Sequence, residues 1–287
     1  MALTQATGAL ALVSGHGKVS AHTCSISGTS AEITATGAGD LPIDAAALGR
    51  LDELQLNLTA DSVQVFVPLT ATERKLTISV KLAANTSTRL YLLARGPARN
   101  LQLVINAVDH ARAGVYSLLD DAAAHFIYEA NVQSGAEVTF TGLTRAQGKT
   151  VTGIEVNVRH VAANGRTEQK FYSYARDTAQ ISFTGRIAVD PGASGTEAHQ
   201  LHRGIALSPG ARIDAQPFLN IMHDDVRCTH GSTVGFIDEE ALAYLMARGL
   251  GRNVAEQILI HSSERQFFDL VPTGEAREFY GVKEEQL

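Results

Sequence analysis

The 287-residue sequence contains no tryptophan and only two cysteines, Cys24 and Cys228. Two thiols so far apart build no disulfide framework. A free thiol is useful only where it stays reduced, so a cytoplasmic setting is expected. Aromatic residues make up 6% of the chain, few for the ring platforms of a sugar-binding site. Basic residues do not dominate: 24 Lys and Arg against 30 Asp and Glu give a net charge of −6, so no nucleic-acid partner is expected. Long hydrophobic runs are missing too. The apolar stretch at 9–13 is too short for a signal or membrane segment and follows no basic region, which predicts a soluble chain with no membrane partner.

What is present is short-range alternation. Leu54, Leu56 and Leu58 alternate with polar residues, as do Val63, Val65 and Val67, and then Leu76, Ile78 and Val80. Similar runs follow at 90–93, 101–105, 137–143, 154–161, 181–189, 204–207 and 218–221, separated by Asn, Gly, Pro, Asp or Thr. The first fifty residues are small and polar and read as short strands and turns, with a short helix over 43–54. Evenly spaced strands without helices make a mainly β fold, whether sandwich, barrel or solenoid, and periodicity alone does not choose among them. A chain of this length with 45% hydrophobic residues can bury a large core.

The pattern changes within residues 224–249. A β-like run carries Cys228 and His230, Gly231 and Gly235 punctuate it, and the first convincing helix follows. On a strand, Cys228 and His230 share one face, with Cα atoms roughly 7 Å apart. A thiolate and an imidazole so placed could share a metal or cluster; equally, a buried cysteine beside a hydrogen-bonded histidine is ordinary core. His22 and Cys24 have the same spacing and read as incidental. Asp238 is placed to cap the helix, which Arg248 and Gly249 close. Asn253 and Glu256 form a capping-box-like start for a second helix carrying Ile258 and Leu259. The chain thus divides into a β region, 1–236, and a helical segment, 237–287, whose hairpin would cap the β stack. One phosphate-loop look-alike fails: in residues 142–150, five residues separate Gly142 from Gly148 where the motif needs four, and no helix follows. It reads as a hairpin or coil turn, and no ATP is expected on this chain.

Four stretches, FTGRIAVDPGA, ALSPGARIDAQPFLNI, DDVRCTHGSTVG and IDEEALAYLMARGL, resemble the core of the SufB/SufD family, scaffold proteins of iron–sulfur cluster assembly, and most resemble the D-type subunit. The likeness is close over 181–262 and weaker back to Val158. It implies a right-handed parallel β-helix with a transient, nascent iron–sulfur cluster. It also implies a SufC-type ATPase docked on the helices from Asp238 to His261, and pairing through the C-terminal end of the β-helix as a homodimer or with a SufB-like subunit. His230 matches a D-type histidine implicated in cluster building. His202, fifteen positions before Pro217, stands where B-type subunits carry an essential cysteine, and a neutral imidazole there retains the capacity to bind iron or zinc. Cys228 is reactive only if exposed and of lowered pKa. His230, Cys228 and His202 are therefore the candidate cluster and metal ligands. The sequence departs from the family in lacking a long N-terminal helical segment, in its short tail after Ser262, and in Ala243 where a phenylalanine is usual. The expected role is a scaffold, not an enzyme, since no nucleophile–base pair or acidic triad stands out. One alternative is a D-type structural subunit that recruits the ATPase without binding a cluster. The other, a β-helix carbohydrate-active enzyme, is disfavoured by the missing tryptophans.

Overall fold

Apolar side chains at every second position bury one face of a strand, and that face needs a second sheet to cover it. In the computed structural model, which describes residues 22–71, 74–272 and 274–281, the strands meet this need by coiling into a parallel β-solenoid of about seven turns. The first strands are β1 (His22–Ser27), β2 (Ser30–Ala35), β3 (Gly39–Pro42), β4 (Glu53–Leu58), β5 (Val63–Leu69), β6 (Leu76–Leu82), β7 (Ser87–Arg95) and β8 (Leu101–Ala107). They continue as β9 (Arg112–Asp120), β10 (His125–Val132), β11 (Glu137–Ala146), β12 (Val151–His160), β13 (Arg166–Ala175), β14 (Gln180–Val189), β15 (Thr196–Ala206), β16 (Arg212–Ile221) and β17 (Val226–Phe236). Even-numbered strands from β2 to β16 stack in one sheet, with β1 added antiparallel at its edge, and odd-numbered strands from β3 to β17 stack in the other. The parallel β-helix implied by the family resemblance is the observed fold.

The coils lengthen toward the C-terminus. Ser30 pairs with Glu53, 23 residues on, whereas Phe183 pairs with Ala215, 32 residues on. Inward residues such as Leu56, Ile78, Leu103, Phe126 and Ile154 are fully or almost fully buried in one continuous core between the sheets. The helix expected over 43–54 is only α1 (Ala45–Leu48), capped by Asp44 and closed by Gly49. Beyond it Arg99, itself buried, donates to the carbonyls of Leu48, Leu51, Arg74 and Lys75, which holds the following residues as a loop. Gly142 lies inside β11, and the look-alike loop is a turn between β11 and β12. The stretch at 9–13 lies outside the described residues.

Three helices follow: α2 (Glu239–Ala247), α3 (Arg252–Phe268) and α4 (Gly274–Phe279). Asp238 caps α2, its Oδ1 accepting from the backbone N–H groups of Glu240 and Ala241 at 3.0 Å, and Gly249 leaves it at φ +93°. The capping box expected at Asn253 and Glu256 does not form. The helix already starts at Arg252 with Gly251 as its cap, and Glu256 pairs with Arg252 instead. The end of α3 and α4 lie against the flank of the stack. Phe267, Phe268, Val271, Ala276 and Tyr280 pack onto Phe66, Tyr91, Leu118, Leu143 and Tyr172, on the outer face of the odd-numbered sheet. Aromatic side chains on both surfaces are buried by this contact. No helix among the described residues is long and apolar enough to cross a membrane.

Candidate functional site

With the helices laid along its flank, the solenoid ends in β16 and β17, each the last strand of its sheet. Side chains that would be buried one coil earlier are partly exposed here. Cys228 pairs in register with Ala198, His230 with Gln200, and Ser232 with His202. Registered neighbours on parallel strands point the same way. Ala198, Gln200 and His202 are all buried, so Cys228 and His230 face the interior at the position where no further coil covers them.

Cys228 is half-buried and packs with Leu219 and Val226 against Ile187, Val189, Ala193 and Ala198. Burial pushes its thiol up, partly offset by a hydrogen bond from the Ala198 backbone, so at neutral pH it is a thiol and not a poised thiolate. His230 is exposed. His202 lies one coil deeper and is fully buried. Its ring stacks on Phe183 with centroids 4.7 Å apart, Nε2 lies 3.0 Å from Ser173 Oγ, and Nδ1 lies 3.5 Å from Ser232 Oγ. Burial holds its pKa down at about 4, keeping the imidazole neutral. Both of its nitrogens are thus engaged inside the subunit. Among the described residues, no group of three or more His, Cys, Asp and Glu could hold a metal ion. One chain therefore brings Cys228 and His230, two residues, to a shared open face. His22 is exposed and Cys24 half-buried, on β1 at the opposite end of the stack.

Two buried glutamines were not anticipated. Gln169 and Gln200 occupy successive rungs of the interior column that ends at His230, and neither carboxamide has a protein partner among the described residues. Their signal was a polar residue at an inward position of an alternating strand, as in Thr167 and Gln169 of β13.

A family described as "SUF system FeS cluster assembly, SufBD core domain" matches residues 78–263. The chain belongs to the SufBD core family. The match begins well before Val158, where the recognisable motifs fade, and takes in most of the solenoid as well as α2 and part of α3. An iron–sulfur cluster assembly SufBD family protein of Synechocystis is 27% identical over 183 residues, 62% of this chain and 40% of that protein. The assembly proteins named SufD of Escherichia coli and Bacillus subtilis are 36% and 41% identical over 86 residues, 30% of this chain and 20% of each relative. The chain thus spans at most 40% of the length of these relatives.

Proposed function

We propose that this chain is a cytoplasmic, non-enzymatic scaffold subunit of a SUF-type system, on which iron and sulfide are assembled as a transient cluster. The observation that carries the reading is the uncovered last coil, with a thiol and an imidazole on its inward face. The cluster is cargo here, and the donor chemistry suits it, since sulfur and imidazole donors both bind iron. A second subunit meeting β17 edge to edge would complete the set: a second copy supplies another Cys228 and His230 by two-fold symmetry, and a SufB-like chain supplies its own donors. His202 would join only if the coil opened.

A SufC-like ATPase would grip α2 and the first half of α3, where Tyr244, Met246, Val254 and Ile258 are exposed. The second half of α3 is seated on the sheet by Glu264 on Arg145 and by a Tyr174–Ser263 hydrogen bond of 2.7 Å. Motion at the free half would therefore reach the solenoid. Nucleotide shifts the assembly only if the ATPase binds its two arrangements unequally.

Anaerobic reconstitution with ferrous iron and sulfide tests the scaffold role. Visible absorbance that is present in wild type and lost in His230→Ala or Cys228→Ala supports it. Absorbance that is absent from wild type, or unchanged in both variants, supports a D-type recruiting subunit that binds no cluster. The raised thiol pKa of Cys228 is the observation favouring that second reading.

A further inference from the structure

Between the second half of α3 and the outer face of the odd-numbered sheet lies a cleft of about 460 Å³, within the range that encloses small molecules. Arg95, Asp120 and Arg145 stand on successive rungs at the ends of β7, β9 and β11. Arg176 follows β13, and Leu118, Tyr174 and Ile260 supply apolar wall. Four guanidiniums line the cleft, with Arg265 the fourth, against three carboxylates, Asp120, Asp121 and Glu264. Glu256 and Asp269 lie beside Arg176 and Arg265, so the cleft is rich in guanidinium donors without being cationic overall.

Three of these charges are already hydrogen-bonded: Arg145 and Glu264 hold each other, and Asp121 accepts from the backbone and side chain of Gln147. Arg265, 3.7 Å from Asp269, and three further groups keep hydrogen-bonding capacity. Arg95 donates to the Tyr280 carbonyl, which leaves most of its five N–H groups available. The nearest carboxylate to Arg176 is Glu256 at 3.8 Å, and Asp120 lies 3.8 Å from Arg145, both beyond hydrogen-bond length. A guanidinium fork matches the paired oxygens of a phosphate or carboxylate.

We propose that this cleft binds a small oxyanion, phosphate or carboxylate, held by Arg95 and Arg176 with a donor group of the same molecule against Asp120. Arg145 and Glu264 shape the wall and are not ligands. The site stands apart from Cys228 and His230, so it holds or fails independently of cluster assembly.

Isothermal titration of the full chain at low salt with AMP, inorganic phosphate and citrate tests it. At least one probe is expected to bind with Kd below about 1 mM. Arg176→Ala and Arg95→Ala should each weaken that binding tenfold or more, while Arg166→Ala, on a surface ion pair elsewhere on the sheet, leaves it unchanged. Arg176→Lys keeps the charge without the fork and serves if the alanine variants fail to fold; a several-fold loss is expected. AMP binding tighter than phosphate assigns the apolar wall to the organic part, and citrate alone assigns a carboxylate ligand. No binding of any probe at 10-fold higher concentration, or equal loss in Arg166→Ala, overturns the proposal.

Discussion

Arg145 and Glu264, 119 residues apart in sequence, are joined by two hydrogen bonds of 2.6 and 2.7 Å that fasten α3 to β11. The Glu264 side chain is only 4% exposed, while Arg145 is one-third exposed and also faces Asp120 at 3.8 Å. Glu264→Ala leaves that guanidinium with a single, longer partner. Because water still reaches Arg145, the expected cost is about 2 kcal/mol, below the ~3–5 kcal/mol of a fully buried pair. The urea midpoint should fall accordingly, with faster amide exchange in α3. Arg112→Ala breaks the exposed pair with Glu137 at 3.3 Å and should cost under about 1 kcal/mol. Equal effects would remove the special standing of the α3 anchor.

Two buried histidines predict acid sensitivity. His160 bonds Thr167 Oγ1 through Nε2 at 3.0 Å, and burial holds its pKa, like that of His202, at about 4 instead of 6.5. The unfolded chain therefore binds more protons than the folded one between those values. Stability from the two neutral rings is complete above pH 6.5 and declines as pH falls toward 4, by up to ~3 kcal/mol each. Urea unfolding across pH 7 to 4.5 measures the slope. His160→Gln should flatten it by about one proton; a slope identical to wild type means that His160 is not held neutral.

Much of the solenoid was legible, because its core needs a strict alternation that Leu54–Leu58 and the runs after it display. The coil repeat was not, for a geometric reason. The left-handed turn that closes successive coils is filled by Ser62, Asn85, His110, Gly135, Asn164 and Gly195, with φ between 58° and 68°. These share a conformation but not one residue type, being Ser, Asn, His or Gly, and their spacing stretches as the coils lengthen. β13 escaped notice because its inward positions hold Thr167 and Gln169, which break the apolar pattern. The seat of α3 and α4 did leave a trace. Tyr91-Leu92 and Leu118-Leu119 are consecutive buried residues, the sign of a strand covered on both faces. At the site, Cys228 and His230 could be placed on one face from spacing alone. That the last coil would stay open could not, since the covering helices reach their aromatic partners across long sequence separations, as in Tyr280 Oη donating to the Tyr116 carbonyl 164 residues away.

Gly185 and Gln200 face each other across the interior. A Cβ on Gly185 would lie 1.9 Å from Gln200 Nε2, and Gln200 is itself buried. Gly185→Ala should therefore destabilise by about 1–3 kcal/mol through overpacking. Gln200→Ala removes the obstacle, so the double variant should lose less than the sum of the two, with a coupling of about 1 kcal/mol or more. Additive losses in urea melts would place the strain elsewhere.

The open end carries the last expectation. A column of alternating charge runs along the outer face of the odd-numbered sheet, with Arg112–Glu137 at 3.3 Å, Arg166–Glu197 at 2.9 Å and Arg227–Glu197 at 3.9 Å. It stops at Arg227, whose side chain is 84% exposed, because no coil follows. Phe218, Ile221, Met222, Val234 and Phe236 are exposed on the same two strands or beside them, Phe236 by 73%. An uncovered strand edge with an apolar rim is a template for another chain. If a second copy completes the site, wild type should sediment as a dimer, and Val234→Asp and Phe236→Asp should each shift it to a monomer that keeps its strand content by circular dichroism, since neither side chain is core in the single chain. Reconstituted absorbance should fall in step with the dimer fraction. A dimer that survives both substitutions places the seam on another surface, and with it the completion of the Cys228 and His230 donor set.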